Sequence, residues 1–272
     1  VGDYPRRERV DPRSWQKLIL TSGRFESRLK VAIISDIHGN LTALGAVLPA
    51  IKRFDRVICL GDIAAVGPQP RETIALLRKM KWPCVMGNTD ESLANSILEN
   101  YDRLDTPQEE KRRMMTLDRW TATQLGESDR RFLSGFERTI TVKGRQASLL
   151  CYHGSPRSNR EGILSTTPDD RVATILGNHS ATIFAGGHTH VQMVRRLGGS
   201  IIMNPGSVGL PFEKDAAGKF RNPARAEYSI VTFNGQELSV ELCRTAYDLA
   251  ELEKAVRGSG MPNPDRWLAD WF

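Results

Sequence analysis

Short apolar runs alternate with helix-spaced stretches over the first third of the chain, and each apolar run ends in a polar cluster. Val31-Ala32-Ile33-Ile34-Ser35 predicts a buried strand. Leu41, Leu44, Val47, Leu48 and Ile51 then recur at helical spacing, which predicts a helix over 40–54 with Asn40 as N-cap and a kink or restart at Pro49. Val57-Ile58-Cys59-Leu60 predicts a second strand, 72–81 a helix, and Cys84-Val85-Met86 a third strand. This β-α-β-α-β rhythm implies a parallel sheet with helical crossovers.

Residues 91–135 are polar and helix-rich. Met114, Leu117, Trp120, Thr121 and Gln124 mark one amphipathic helix, and 129–133 a short one. From Thr139 the pattern changes to strands, expected at 139–143, 147–152, 182–185, 191–195, 201–203, 228–233 and 238–242, with a hairpin turn at Asn234-Gly235. Only 169–176 reads as helix in that half, so a mixed or antiparallel sheet is expected there. A helix over 249–256 closes the pattern, and a tail carrying Trp267, Trp271 and Phe272 is expected to dock on the body or on a second subunit.

The polar clusters carry the chemistry. In order they are Asp36-Ile37-His38-Gly39-Asn40, Gly61-Asp62, Gly87-Asn88-Thr89-Asp90, His153-Gly154, Gly187-His188-Thr189-His190 and Asn204-Pro205-Gly206-Ser207, and they hold four of the five histidines. Asp, Asn and His at loop ends are the ligand types of a hydrolytic two-metal site. In an open parallel sheet, ligands gather beyond the C-terminal ends of the strands, so Asp36, Asp62, Asn88, His153 and His188 are expected on one rim. Arg157 and Arg160, in the loop after His153, are expected to meet substrate phosphate through their planar guanidinium forks. Lys214, Lys219, Arg221 and Arg225 are expected on the rim of the cleft. Asn204-Pro205-Gly206 reads as a turn that buttresses the histidine loops.

The order and spelling of these clusters resemble the calcineurin-like metallophosphoesterase superfamily over about residues 30–243, and its small prokaryotic phosphodiesterase branch in particular. The resemblance implies an α/β fold, a four-layer α/β/β/α sandwich with two mixed sheets. It implies Asp36, His38 and His190 on one metal, Asn88, His153 and His188 on the other, and Asp62 between them. The implied activity is hydrolysis of a phosphodiester, with a metal-bridging hydroxide attacking phosphorus in line. The alternatives are a phosphomonoesterase or Ser/Thr protein phosphatase-like enzyme, and a non-catalytic metal-binding scaffold. Two divalent ions are implied, Mn by family habit, with Fe, Zn, Co or Ni as the others this donor set suits. Asp62, Asn88 and Asp90 are the implied catalytic residues, with Asn88 also touching substrate. One position departs from the pattern: the family's usual His after the Asn is Thr89. His179 is the only spare imidazole and the one candidate for a replacement acid.

Composition adds bounds. The net charge is +6, but residues 1–30 hold eight Lys/Arg against four acids, so +4 of it sits in that stretch, which marks 1–29 as a basic extension and leaves the body nearly neutral. The expected division is that extension, a metallophosphoesterase domain over 30–243, and a helix and aromatic tail over 244–272. Nucleic acid is therefore not the expected partner; a phosphate-ester substrate is, and a homo-oligomer is compatible with the tail. No run approaches a membrane span of about 20 residues or a secretory signal. Cys59, Cys84, Cys151 and Cys243 lack CxxC spacing and read as free thiols, which fits a cytoplasmic setting.

Overall fold

The computed structural model describes residues 17–21, 28–103, 106–214, 220–235 and 237–271, with the backbone alone over 17–21. Most of the 1–29 extension, Lys219 and Phe272 lie outside the described residues. In chain order the elements are β1 (Lys17–Thr21), β2 (Arg28–Ile34), α1 (Leu41–Ile51), β3 (Arg56–Cys59), α2 (Pro70–Met80), α3 (Asn88–Ala94), α4 (Gln108–Gln124), α5 (Glu127–Ser134), β4 (Thr139–Lys143), β5 (Ser148–Cys151), α6 (Asp169–Leu176), β6 (Ile183–Ala185), β7 (Met193–Leu197), β8 (Ser200–Asn204), β9 (Glu213–Lys214), β10 (Phe220–Arg221), β11 (Arg225–Asn234), β12 (Glu237–Ala246), α7 (Leu249–Gly258) and α8 (Pro264–Leu268).

Two sheets carry the fold. One has the order β12-β11-β2-β3 and the other β1-β4-β5-β6-β8-β7. β2 and β3 run parallel, as do β5, β6 and β8, while β11 joins β2 antiparallel. Strand periodicity explains the layering, because successive side chains of one strand serve opposite faces. Val31 and Ile33 of β2 pack between the sheets with Ile58, Val142, Leu149, Ile183 and Val231. Ala32 and Ile34 face the other way, onto Leu44, Val47 and Ile51 of α1, Ile74 and Leu77 of α2, and Leu133 of α5. On the far side of the second sheet, Leu150, Phe184 and Ile202 meet Val172 and Ile175 of α6. The result is the four-layer α/β/β/α arrangement.

Several elements differ from the sequence reading, each for a local reason. The Asn40 side chain accepts from Ala43 N at 3.0 Å and starts α1 as expected, but Pro49 lies in the last turn and the helix simply ends at Ile51. Pro70 opens α2 two residues early, at the position where a missing N–H costs nothing. The expected strand at 84–86 is reduced to single bridges, Cys59 to Cys84 and Val85 to Glu137, before Gly87 turns the chain into α3. β11 and β12 leave the second sheet and return to the first; β11 is buried on both faces, as a central strand must be, and its hairpin closes through Gly235 at φ +63°. Lys17–Thr21, inside the basic extension, runs parallel to β4 as an edge strand.

The tail docks on the body. Trp267 and Trp271 are buried and stack at 4.1 Å, and the Trp267 indole donates to Val66 O at 3.0 Å. Among the described residues no helix is long and apolar enough to cross a membrane.

Candidate metal centre

All the predicted ligands but Asn88 sit in turns just past a strand. Asp36 and His38 follow β2, Asp62 follows β3, His153 follows β5, and His188 and His190 follow β6. Asn88 instead opens α3, a helix whose start is marked in the sequence by Gly87 and by Asp90 and Glu91 in the first turn. Five of these residues hold left-handed backbone: Asp36 (φ 54°), His38 (49°), Asp62 (55°), His188 (66°) and His190 (58°). Asp, Asn and His tolerate that region better than most side chains, at a cost of about 1–2 kcal/mol each. Packing around the turns leaves no room for Cβ atoms at two glycines. One on Gly187 would lie 2.0 Å from Ser35 Oγ, and one on Gly87 2.0 Å from Asp62 Oδ1.

The side chains gather in two triads, Asp36/His38/His190 and Asp62/His153/His188, with donor atoms within 4.8 Å of one another in each. All six are buried or nearly so. Backbone carbonyls fix three imidazoles: His38 Nδ1 on Ala65 O (3.0 Å), His153 Nδ1 on Leu60 O (2.7 Å) and His190 Nδ1 on Leu210 O (2.8 Å). A carbonyl only accepts, so each Nδ1 bears the proton, and each neutral ring turns its Nε2 lone pair inward. His38 Nε2 and His190 Nε2 then face each other at 3.1 Å, and His190 Nε2 lies 3.2 Å from Asp36 Oδ1. Asp36 Oδ1 is buried without a hydrogen-bond partner, while Oδ2 accepts from Ser35 Oγ and His188 N. In the second triad His153 Nε2 sits 3.2 Å from Asn88 Oδ1 and 3.5 Å from Asp62 Oδ2. Asp62 Oδ2 is also 3.8 Å from His38 Nε2, so this carboxylate stands between the triads.

Acceptors crowded together without donors repel unless a cation lies among them. Donor atoms sharing an ion at bonds of about 2.0–2.2 Å are separated by roughly 3.0–3.4 Å, which matches the closest of these contacts. The residues therefore fit divalent ions, and thiolate-free N and O donors suit Mn, Fe, Zn, Co or Ni. Without a cation, protons hold the charges apart. Burial opposes ionisation of Asp36, but His190 and His153 hold it at about 2; Asp62 is likewise held far below the usual carboxylate range by His153 and His38. Against the cost of burial, Asp62 and Asp36 push His153 up to about 9, while burial and the neighbouring His153 push His188 down to about 4.

Asp90 occupies a different place from the catalytic one expected. Its buried carboxylate accepts from the backbone N–H groups of Asp62 (2.7 Å), Ile63 (3.0 Å) and Gly87 (3.2 Å). Both oxygens are thus spent on the turns that carry Asp62 and Asn88, and Asp90 is a positioning residue. Burial and the charge of Asp62 push it up to about 7 against those donors. Asn204 buttresses as expected, its Nδ2 donating to Gly187 O (2.7 Å), and Ser207 adds a second brace, its Oγ donating to Asp36 O (2.7 Å).

The arginines are committed elsewhere. Arg157 pairs with Glu161 at 2.5 Å, and Arg160 pairs with Glu91 and with Glu99 (3.1 Å) while touching Asn88 O at 3.3 Å. Arg221 and Arg225 both reach Glu213, and Lys214 lies 4.8 Å over the Phe220 ring. His179 precedes β6, at the opposite end of that strand from His188. The structure adds features the sequence reading lacks. Phe212, partly exposed, sets its ring 5.9 Å from that of His190, and Phe220 stacks edge-on against Phe212. The three carbonyls that fix the histidines left no side-chain signal at all; Pro211-Phe212 beside the Asn204 cluster did offer one.

Residues 29–222 match the model of the calcineurin-like phosphoesterase superfamily domain. An uncharacterised protein of Methanocaldococcus jannaschii is 27% identical over 260 residues, covering 88% of this chain and 96% of that one. A metallophosphoesterase from Sphaerobacter thermophilus superposes with a TM-score of 0.68 at 28% identity, over 89% of this chain and 99% of its own. A hypothetical protein from Pyrococcus horikoshii superposes with a TM-score of 0.70 at 19% identity, over 89% and 98% of the two chains, a likeness of fold.

Proposed function

Because the chain belongs to the calcineurin-like phosphoesterase superfamily, we propose that it is a phosphodiesterase that works with two divalent ions. One observation carries the reading: imidazole Nε2 atoms and carboxylate oxygens converge on two adjacent points, three of the rings being turned there by carbonyls that hold their Nδ1 protons. Asp36, His38 and His190 would hold one ion, Asn88, His153 and His188 the other, and Asp62 Oδ2 would reach both. When bound, such a pair supplies Lewis acidity toward the phosphoryl oxygens and an acidified water as nucleophile. Mn is the first assignment.

The chain's own residues do the rest. The carbonyls of Ala65, Leu60 and Leu210 keep His38, His153 and His190 in the ligating tautomer. Asp90 ties the turn of Asp62 to the start of α3, so the donors are in place before substrate arrives. Thr89 offers no imidazole to protonate a leaving group, a loss worth about 10²–10⁴-fold where such help is needed. That supports esters with good leaving groups over demanding ones.

The test is Mn-dependent hydrolysis of bis-p-nitrophenyl phosphate against p-nitrophenyl phosphate, with Asp62→Asn as control. Metal-dependent diester turnover that disappears in Asp62→Asn is the expected result. A preference for the monoester by about tenfold, a barrier difference near 1.4 kcal/mol, would make the enzyme a phosphomonoesterase instead.

A further inference from the structure

The metal centre is open on one side. Asp36, His38, Asp62, Asn88 and His153 are buried, whereas His188, Thr189 and His190 keep part of their surface. A phosphate ester therefore approaches the ligands from the side of the His188–His190 turn. Two large aromatic rings stand there. Phe212 is 36% exposed and Phe220 55% exposed. Apolar side chains scattered singly over a surface are ordinary, but an adjoining pair beside the opening of a metal centre marks a binding surface.

The backbone ties Phe212 to a ligand. His190 Nδ1 donates to Leu210 O at 2.8 Å, and Phe212 lies two residues further on, past the buried Pro211. Its ring centre is 5.9 Å from that of the imidazole and the planes diverge by 42°, so the two rings do not stack face to face. Phe220 props Phe212 edge-on, at 5.4 Å and 88°, and Lys214 Nζ lies 4.8 Å over the Phe220 ring, so one face of Phe220 already has a cation partner. The β9–β10 pairing sets Phe220 opposite Lys214, and Glu213 anchors the pair of strands to Arg221 (3.1 Å) and Arg225 (3.2 Å). We infer that Phe212 is a stacking platform for a planar aromatic group carried by the phosphate-ester substrate, on an arm just long enough to pass one imidazole. The inference rests on the phosphodiesterase reading, which puts phosphorus at the metal centre. Neither phenylalanine carries a polar atom, so the platform selects a π-face and not a pattern of hydrogen bonds.

Three phosphonates, whose P–C bond resists hydrolysis, test this: ethylphosphonate, 2-cyclohexylethylphosphonate and 2-phenylethylphosphonate, each titrated calorimetrically into the Mn-loaded protein. The phenylethyl compound is expected to bind about fivefold more tightly than the cyclohexylethyl compound, which has the same tether and a ring without a π-face; that is the usual worth of an aromatic pair beyond its buried area. The ratio should fall toward one in Phe212→Leu and persist in Phe212→Trp. Phe220→Leu, which removes the prop, should lower it in part. Equal affinities for the two ring compounds, or a ratio that survives Phe212→Leu, would overturn the platform, while Mn-dependent binding of ethylphosphonate would leave the phosphodiesterase reading standing. If the protein bound Mn and none of the three phosphonates, the phosphate-ester reading and the platform would fall together.

Discussion

The floor of the metal centre and the wall beside it, where Thr89 of α3 and Asp118 of α4 lie, bury polar atoms to a similar depth and treat them in opposite ways. In the floor, outward-facing atoms are paired with backbone: three Nδ1 groups have carbonyls, and Asp90 has three N–H groups. What is left unpaired points at two shared positions and has one sign of partial charge. In the wall, Thr89 Oγ1 and Asp118 Oδ1 are unpaired, one able to donate and the other only to accept when ionised. The first arrangement demands cations. The second leaves one atom that can donate and one that accepts, and calls for no cation. Orphan atoms thus call for a cation only where their partial charges agree in sign.

Metal is the strongest way to break that contrast. Saturating Mn at about 100 times its Kd should add about 2.7 kcal/mol of stability per site, read as a rise in Tm that EDTA reverses. A Tm indifferent to Mn, Zn and Co alike would mean that the floor is an ordinary polar core. Next in size is the packing that holds the floor. Gly187→Ala forces a Cβ into Ser35 and Asp36, so it should cost about 1–3 kcal/mol in urea unfolding and take metal-dependent turnover with it. Unchanged stability would show that the turn has slack.

The third test concerns Asp118. Burial, opposed by the Tyr101 hydroxyl and reinforced by Glu99, pushes Asp118 up to about 7 from an ordinary value of 3.8. A carboxyl raised in the folded state binds more protons there than in the unfolded chain, so stability falls as pH rises from about 4 to 7 and then levels off. Asp118→Asn removes that slope. The urea midpoint of the variant should therefore gain on the unmodified chain between pH 5 and pH 8, other groups cancelling in the difference. A constant difference across that range would mean that Asp118 ionises normally.

Which residues were legible in the sequence follows from what makes them necessary. Asp36, His38, Asp62, Asn88, His153, His188 and His190 stood out because few residue types can ligate and because each follows an apolar run. Their support was partly invisible: any residue supplies a carbonyl, so Leu60, Ala65 and Leu210 carried no mark. Asp90 was misread because a carboxylate that holds backbone amides is spelled like one that faces substrate. Arg157 and Arg160 looked like phosphate ligands until Glu161, Glu91 and Glu99 proved to be their partners, pairings that bring together residues up to about 69 apart in the chain. The parallel half and the mixed half were legible from the apolar pattern and the four layers only through the family resemblance, while the return of β11 to the first sheet was not legible, since a buried strand reads the same in either sheet.

The left-handed backbone at Asp36, His38, Asp62, His188 and His190 sets a course for laboratory evolution. Glycine relieves that strain and cannot ligate. A library screened only for heat tolerance or yield, with no metal in the medium, would drift toward glycine at these five positions. Its winners would be sturdier and inert, so survival in such a screen and turnover would rank the same variants in reverse.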